Sequence, residues 1–309
     1  MAPTSLPTEI LRADRDAIDR AATLLGQGAP VAVPTETVYG LAANATDALA
    51  VARIYKAKGR PDFNPLITHV FDLEAAEKLA YFTDRARELA ELYWPGPLTL
   101  VLPRREDAGI ADVVTAGLPT IAIRVPAHPV MRALLHRFGK PLAAPSANAS
   151  GRISPTRATH VAASLAGRIR LILDGGPTEA GIESTIIADT GGELRLLRRG
   201  PVHVPDAVAG DDKKIEAPGQ LSSHYAPQKP LRLDVTEPDK DEVLIGYGEV
   251  EGDLYLGGTP VEAAANLFAL LHEADDADAP KIAVAPIPGD ALAAAIRDRL
   301  KRAAAPRSN

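Results

Sequence analysis

Two pairs of polar side chains have the types and spacing that suit chemistry on an anion. Lys58 and Arg60 stand two apart in a turn rich in glycine and proline, and Ser146 and Asn148 end an apolar run among small residues. In extended backbone, side chains two apart point to the same side, so the two cations would repel each other unless an anion lay between them. Solvated charges after a helix, and simple turn formation, are the alternative interpretations. Together the pairs indicate a polyanion site that is not a Walker loop, because the chain has no G-x-x-x-x-G-K-[ST] segment.

Hydroxyl, carboxylate and guanidinium groups near other predicted strand ends extend this candidate site. Thr35, Glu36 and Thr37 follow a predicted strand, where α/β sheets place ligands, although a helix cap or turn fits them equally well. Arg124 lies late in the apolar segment TIAIRVP, and a charge buried there requires a partner. Its planar, bidentate guanidinium suits a carboxylate, either that of a ligand or that of a structural salt bridge.

Short apolar runs that alternate with helical patterns must position these residues. We predict strands over residues 30–34, 65–70, 98–102, 120–125, 141–145, 169–174, 184–188 and 193–198. We predict helices over residues 15–27, 47–57, 72–80, 83–93, 128–138 and 156–166. Asp47 is the expected N-cap of the second helix and Gly59 its expected stop. This alternation predicts a mixed α/β sheet with helices packed against it.

The chain of 309 residues is too long for one comfortable core, and its periodicity divides it. We expect a catalytic domain over residues 1–204, a linker or lid over 205–229, and a small α/β domain over 230–309. The linker carries a polar cluster, Ser222, Ser223, His224 and Tyr225, next to a proline. The small domain is predicted to hold strands near 230–235, 243–247, 253–257 and 281–287, with helices over 260–273 and 289–304.

Composition excludes several classes of function. The chain has no cysteine, so disulfides, thiolate nucleophiles and cysteine-ligated zinc are impossible. Its net charge of -6 argues against a protein that wraps nucleic acid over its whole surface. The N-terminus lacks a signal-peptide core, and no apolar run approaches the length of a membrane span, so we expect a cytoplasmic protein.

Several segments in order resemble the threonylcarbamoyl-AMP synthase family with the YrdC-like fold. They are PTETVYGLA, KAKGRP with NPLI, WPGPLTLVL, TIAIRVP, PSANASG, GIESTII and LLRRGP. The match runs from about residue 15 to 202, and the segment PGQLSSHYAP with the domain after it resembles the two-domain branch of the family. The resemblance implies an α/β fold, of the α+β type with a mixed twisted sheet, followed by a smaller Rossmann-like α/β domain.

The resemblance also implies a reaction and a set of site residues. L-threonine, bicarbonate and ATP would give threonylcarbamoyl-AMP and pyrophosphate, with Mg²⁺ bridging the phosphates through ligands that the sequence does not identify. The family's catalytic motifs map onto Lys58, Arg60, Ser146 and Asn148. Its ATP contacts map onto Lys58, Arg60, Asn64, Thr120, Ser146, Asn148, Ser154, Arg198 and Tyr225. Its threonine contacts map onto Thr35 or Thr37, His69, Arg124, Ala144 and Ser184.

In the family, a separate transferase complex moves the threonylcarbamoyl group to tRNA, so direct tRNA binding by this chain would be weak. Two other functions remain open. Related folds serve carbamoyl transfer from carbamoyl phosphate. A non-catalytic RNA-binding module would use Arg152, Arg157, Arg168 and Arg170 as a basic face.

Overall fold

Two β-sheets with helices packed against them make up the protein. The computed structural model describes residues 7–61, 63–211, 214, 216–218, 224–289 and 291–306. The large sheet contains β1 (Glu9–Arg12), β2 (Val31–Pro34), β3 (Tyr39–Asn44), β4 (Ile67–His69), β5 (Leu98–Pro103), β6 (Thr120–Arg124), β7 (Leu142–Ala143), β8 (Leu171–Asp174), β9 (Thr185–Ala188), β10 (Arg195–Arg198) and β11 (Val208–Ala209). The small sheet contains β12 (Leu231–Arg232), β13 (Glu242–Gly246), β14 (Leu254–Tyr255) and β15 (Lys281–Val284).

The helices are α1 (Arg15–Gly26), α2 (Ala48–Lys58), α3 (Leu73–Glu77), α4 (Asp84–Tyr93), α5 (Asp112–Thr115), α6 (Pro129–Phe138), α7 (Ala158–Leu165), α8 (Pro260–Asp276) and α9 (Ala291–Ala304). Local sequence explains where α2 lies. The side chain of Asp47 accepts hydrogen bonds from the backbone of Leu49 and Ala50, and Gly59 ends the helix with a φ of 61°. Both predicted boundaries are confirmed.

The large sheet is mixed, as predicted. Its strand order is β1-β8-β2-β3-β7-β4-β6-β5-β9-β10-β11. Parallel pairs such as β4 with β6 alternate with antiparallel pairs such as β3 with β7. Each predicted strand has a counterpart. The sequence reading missed β1 and β3. In β3, four of the six residues of YGLAAN are glycine, alanine or asparagine, which are depleted in strands.

The small sheet is entirely parallel, with the order β12-β15-β13-β14. Helices α8 and α9 pack against each other and against the sheet face that carries Val243 and Ile245. This arrangement is the smaller Rossmann-like unit that the sequence indicated.

The two units share one hydrophobic cluster. Val38, Ile153 and Ile182 from the first unit pack with residues of α8, including Phe268. The junction between the two units therefore includes an apolar contact, and the candidate site lies beside it.

None of the helices in the described ranges is long and apolar enough to cross a membrane.

Candidate active site

A cavity opens beside the junction of the two units. Nine of the predicted site residues line it: Thr35, Thr37, Arg60, His69, Arg124, Ala144, Ser146, Arg198 and Tyr225. The wall also contains Val38, Gly40, Ile67, Pro145, Glu183, Pro218 and His224, which the sequence reading did not assign to the site. The cavity thus brings together groups from stretches that are far apart in the chain.

Strand pairing explains why these stretches meet. Strands β4 and β6 are parallel neighbours, and their register sets His69 opposite Arg124 at the ends of the strands. An antiparallel bridge joins Gly40 to Ser146, so the loop after β7 lies against β3. A Cβ on Gly40 would lie 3.3 Å from the Cβ of Ala144, so glycine allows this close approach.

Lys58 organises the loop that carries Ser146. Its side chain is 2% exposed, and its Nζ donates hydrogen bonds to the carbonyl oxygens of Ser146 and Asn148. Burial, with the nearby charge of Arg60, holds the pKa of Lys58 well below its usual value. Because Gly59 is left-handed, the chain is not extended between the two cations, and that premise of the sequence reading is wrong.

Arg60 and Arg198 present guanidinium groups to the cavity, and within the described residues neither forms an ion pair. Arg60 donates from Nη2 to the carbonyl of Pro65 at 3.0 Å. Arg198 donates from Nε and Nη2 to the carbonyl and hydroxyl oxygens of Ser184, both at 2.9 Å. Burial lowers the pKa of each arginine to about 10, which leaves both charged at neutral pH. Two buried cations without a carboxylate partner among the described residues give this part of the cavity a positive charge that suits an anion.

Arg124 also lines the cavity, and the structural salt bridge that was one of the two interpretations made from the sequence is present. Its Nη2 is 2.6 Å from Oε1 of Glu36, so a buried salt bridge exists, yet the residue also lines the cavity. Its Nη1 donates to Oγ1 of Thr37 at 3.0 Å, and the hydroxyls of Thr35 and Thr37 are 2.8 Å apart. Burial raises the pKa of Glu36, but the charge of Arg124 outweighs it and the net shift is downward. This side of the cavity therefore offers a guanidinium and two hydroxyls to a small polar ligand.

His224 and Tyr225 close the cavity from the second unit's side. The Tyr225 side chain is 1% exposed, and its ring stacks on Phe268 of α8 with ring centroids 5.5 Å apart. Tyr225 has a φ of 65°, which is unusual for a residue that is not glycine. Burial lowers the pKa of His224 to about 3, so its imidazole is neutral. The predicted partners Ser222 and Ser223 lie outside the described residues.

The remaining predicted residues do not line the cavity. Asn148 is 1% exposed and donates from its amide to the carbonyls of Ala149 and Arg152. Ser184 lies behind Arg198, hydrogen-bonded to it and to Thr99. Ser154 donates to Glu183, and Asn64 is buried with its carbonyl bonded to Tyr55 and Arg60. Thr120 begins β6, at the opposite end of that strand from Arg124. Roles for these five in ligand binding stay predictions.

The sequence held a weak signal for one of the unassigned residues. Glu183 is a single carboxylate inside the apolar segment GIESTII, and a buried carboxylate requires a partner. That partner, Arg299, lies 116 residues along the chain, so no local pattern could identify it.

Comparison with known proteins gives consistent results over the whole chain. A family model described as "Telomere recombination", which groups Sua5, YciO and YrdC, matches residues 23–200. A second, described as "Threonylcarbamoyl-AMP synthase, C-terminal domain", matches residues 180–305.

Individual relatives agree with the family models. The chain is 45% identical to threonylcarbamoyl-AMP synthase of Bacillus subtilis over 77% of its own length and 72% of that protein. It is 41% identical to threonylcarbamoyl-AMP synthase of Pyrococcus abyssi, with 92% of each chain covered. The crystal structure of P. abyssi Sua5 complexed with L-threonine superposes with a TM-score of 0.88, at 38% identity and 97% coverage of both chains. Escherichia coli YciO, at 21% identity and a TM-score of 0.59, shares the fold over 65% of this chain.

Proposed function

The chain belongs to the threonylcarbamoyl-AMP synthase family, and we propose that it makes threonylcarbamoyl-AMP and pyrophosphate from L-threonine, bicarbonate and ATP. The amine of threonine and bicarbonate first give N-carboxy-threonine and water. A carboxylate oxygen of this carbamate then attacks the α-phosphorus of ATP, and pyrophosphate leaves with the electrons of the broken P–O bond.

Charge in the cavity is the observation that carries this proposal. Arg60 and Arg198 lack carboxylate partners among the described residues and face the same cavity, so they would bind the phosphates of ATP. Nucleotidyl transfer depends mainly on positioning and on stabilising phosphate charge, and two fixed guanidinium groups supply both. Among the other predicted ATP contacts, Ser146 would contribute a hydroxyl from the cavity wall. Four more residues, which do not line the cavity, stay predicted contacts: Asn64, Thr120, Asn148 and Ser154.

The threonine would lie on the opposite side of the cavity, beside Arg124. Its carboxylate would pair with the Arg124 guanidinium, while the hydroxyls of Thr35 and Thr37 would form hydrogen bonds with its polar groups. Ala144 and Ile67 are apolar wall residues suited to the threonine methyl group. His69 and Ser184 are the further residues proposed for this subsite. The carbamate is already anionic, so no side chain need act as a general base.

Lys58 would act by holding the loop of Ser146 and Asn148, because its amine is bonded to their carbonyl oxygens. Tyr225 would exclude water from a labile mixed anhydride. We retain the proposed division into a catalytic domain (1–204), a linker or lid (205–229) and a small domain (230–309).

Mg²⁺ would enter with ATP rather than on protein ligands. Among the described residues, no group of three or more histidines, aspartates and glutamates could hold a metal ion. We assign no ligand and no step to the metal. The product would pass, in the cytoplasm, to a transferase complex that modifies tRNA.

Release of pyrophosphate tests the proposal. Purified protein with MgATP, L-threonine and bicarbonate should release pyrophosphate, and omission of either threonine or bicarbonate should stop the release. Undiminished turnover without threonine would refute the proposal.

A further inference from the structure

A buried arginine of the last helix reaches the wall of the cavity. Arg299 in α9 is 1% exposed, and its Nε lies 2.8 Å from Oε2 of Glu183, which lines the cavity. Its other nitrogens donate to the carbonyl of Arg199 at 2.8 Å and to Asp298 at 3.0 Å. A guanidinium with this many partners is fixed in place, and it connects the small domain to the first unit by charge.

Glu183 is the one carboxylate among the described residues that line this cavity. Its Oε1 accepts a hydrogen bond from Ser154 at 2.5 Å, so both oxygens are occupied, one by each of the two units. Burial by itself would raise the pKa of Glu183. The charges of Arg299 and Arg198 and these hydrogen bonds outweigh burial, so the group stays ionised.

An ionised carboxylate in a wall that binds phosphate can compete with the phosphate for the cations there. Arg198 is the other cation whose charge acts on Glu183, and it has no ion-pair partner within the described residues. Without Arg299, the Glu183 carboxylate would be left buried and uncompensated, which is costly. Glu183 would then draw on the charge of Arg198, which already acts on it. An Arg198 guanidinium engaged by Glu183 could not also bind the phosphates.

We propose that Arg299 is a positioning residue of the active site. By pairing with Glu183 it keeps that carboxylate from competing for Arg198, and so leaves Arg198 free to bind the phosphates of ATP. The small domain thereby sets the affinity of the first unit for nucleotide. This inference rests on the proposed function, because it takes ATP as the anion.

A double-mutant cycle tests the inference, with ATP binding measured by calorimetry in the absence of threonine and bicarbonate. Arg299→Met should raise the Kd for ATP about tenfold or more, which corresponds to about 1.4 kcal/mol. Glu183→Gln in the Arg299→Met background should restore the Kd to within about threefold of the wild type, because the competing charge is then gone. Glu183→Gln alone keeps an acceptor for Ser154 and should bind ATP at least as well as the wild type.

Two further variants separate positioning from general stability. Arg299→Lys retains the charge and should bind ATP better than Arg299→Met. Arg297→Met is the matched control, because Arg297 lies on the same helix and its hydrogen bond goes to the carbonyl of Ile287 within the small domain. It should leave the Kd for ATP unchanged.

The outcomes are distinct. Unchanged ATP binding in Arg299→Met, or a double variant as weak as Arg299→Met, would overturn the inference and leave Arg299 a structural residue. Should Arg299→Met not fold, weaker ATP binding by Glu183→Gln alone would overturn it equally. A wild type that binds no ATP would overturn the proposed function as well, whereas a wild type that makes product but shows no rescue would overturn this inference alone.

Discussion

Arg124 forms a structural ion pair and also lines the cavity. A substitution of Arg124 alone would therefore affect both folding and ligand binding. Its salt bridge to Glu36 means that simple removal would leave a buried carboxylate without its cation. The cost to folding would then obscure the cost to ligand binding. A variant that neutralises both partners avoids this difficulty.

We predict that Arg124→Ala combined with Glu36→Gln weakens threonine binding by about 1.5–3 kcal/mol, the value of one charge-assisted hydrogen bond. ATP binding should stay within about threefold of the wild type, because Arg60 and Arg198 remain. Calorimetric titrations with each ligand, with Glu36→Gln alone as control, measure both effects. Equal loss of the two ligands would show that Arg124 does not belong to the threonine side.

Lys58 should contribute to stability as well as to activity. Lys58→Met keeps the length of the side chain but cannot donate to the carbonyls of Ser146 and Asn148. Loss of these two hydrogen bonds leaves both carbonyl oxygens without this donor, which should lower the free energy of unfolding by about 3 kcal/mol and impair pyrophosphate release.

Lys56→Met is the matched control, because Lys56 is exposed on the same helix and should change stability by less than about 0.5 kcal/mol. Urea denaturation measures both variants. If Lys58→Met were as stable as Lys56→Met, the loop would not depend on the buried amine.

Several residues of the cavity could be predicted from the sequence, but one of its ion pairs could not. Arg60, Ser146 and Arg124 could be singled out as polar groups in a turn, at the end of an apolar run and within one, and Arg198 through the family resemblance. All four line the cavity. The pairing of Glu183 with Arg299 depends on how two distant segments pack, which no local pattern encodes.

At the scale of elements, periodicity predicted the strands that are rich in valine, isoleucine and leucine, and the helices with clear caps. It missed β3, since alanine and glycine become strand residues there through pairing with β2 and β7. It also missed β11, which lies within the predicted linker and pairs with β10 in the large sheet. Both errors concern elements whose stability comes from neighbours rather than from their own composition.

Close contact between α8 and the turn before β9 should be sensitive to a single methyl group. Gly181 has a φ of 68°, and a Cβ there would lie 2.2 Å from the carbonyl oxygen of Ala264. We predict that Gly181→Ala lowers the free energy of unfolding by more than about 3 kcal/mol, through backbone strain together with displacement of α8.

Gly139→Ala provides the control, because Gly139 has a φ of 71° but no atom within 4 Å of the added Cβ. It should lose about 1–2 kcal/mol from strain alone. Equal losses in urea denaturation of the two variants would indicate that α8 does not press on Gly181.

The whole molecule contains buried histidines that should make its stability depend on pH. Burial is the largest cause that lowers the pKa of His69, His160 and His224 to about 3. In the unfolded chain they titrate near 6.5, so between about pH 6.5 and 3 the unfolded state binds more protons. The contribution of these neutral histidines to the free energy of unfolding is therefore complete above about pH 6.5 and is lost as the pH falls towards 3.

His160 offers the clearest test, because it stacks on His272 across the junction of the two units, with ring centroids 4.0 Å apart. Between pH 7 and pH 5, His160→Asn should lose about 1–2 kcal/mol less free energy of unfolding than the wild type. The exposed His203→Asn should follow the wild type. A His160→Asn curve parallel to that of the wild type would contradict the assignment of a neutral, half-buried imidazole.

The proposed reaction requires one cavity in which an amino acid, bicarbonate and a nucleotide become a single molecule. Mass spectrometry of the nucleotide product formed with ¹³C-bicarbonate, L-threonine and ATP tests this most directly. We predict an adenylate that contains the threonyl group and one ¹³C atom. An unlabelled threonyl adenylate, or ADP in place of pyrophosphate and an adenylate, would contradict it.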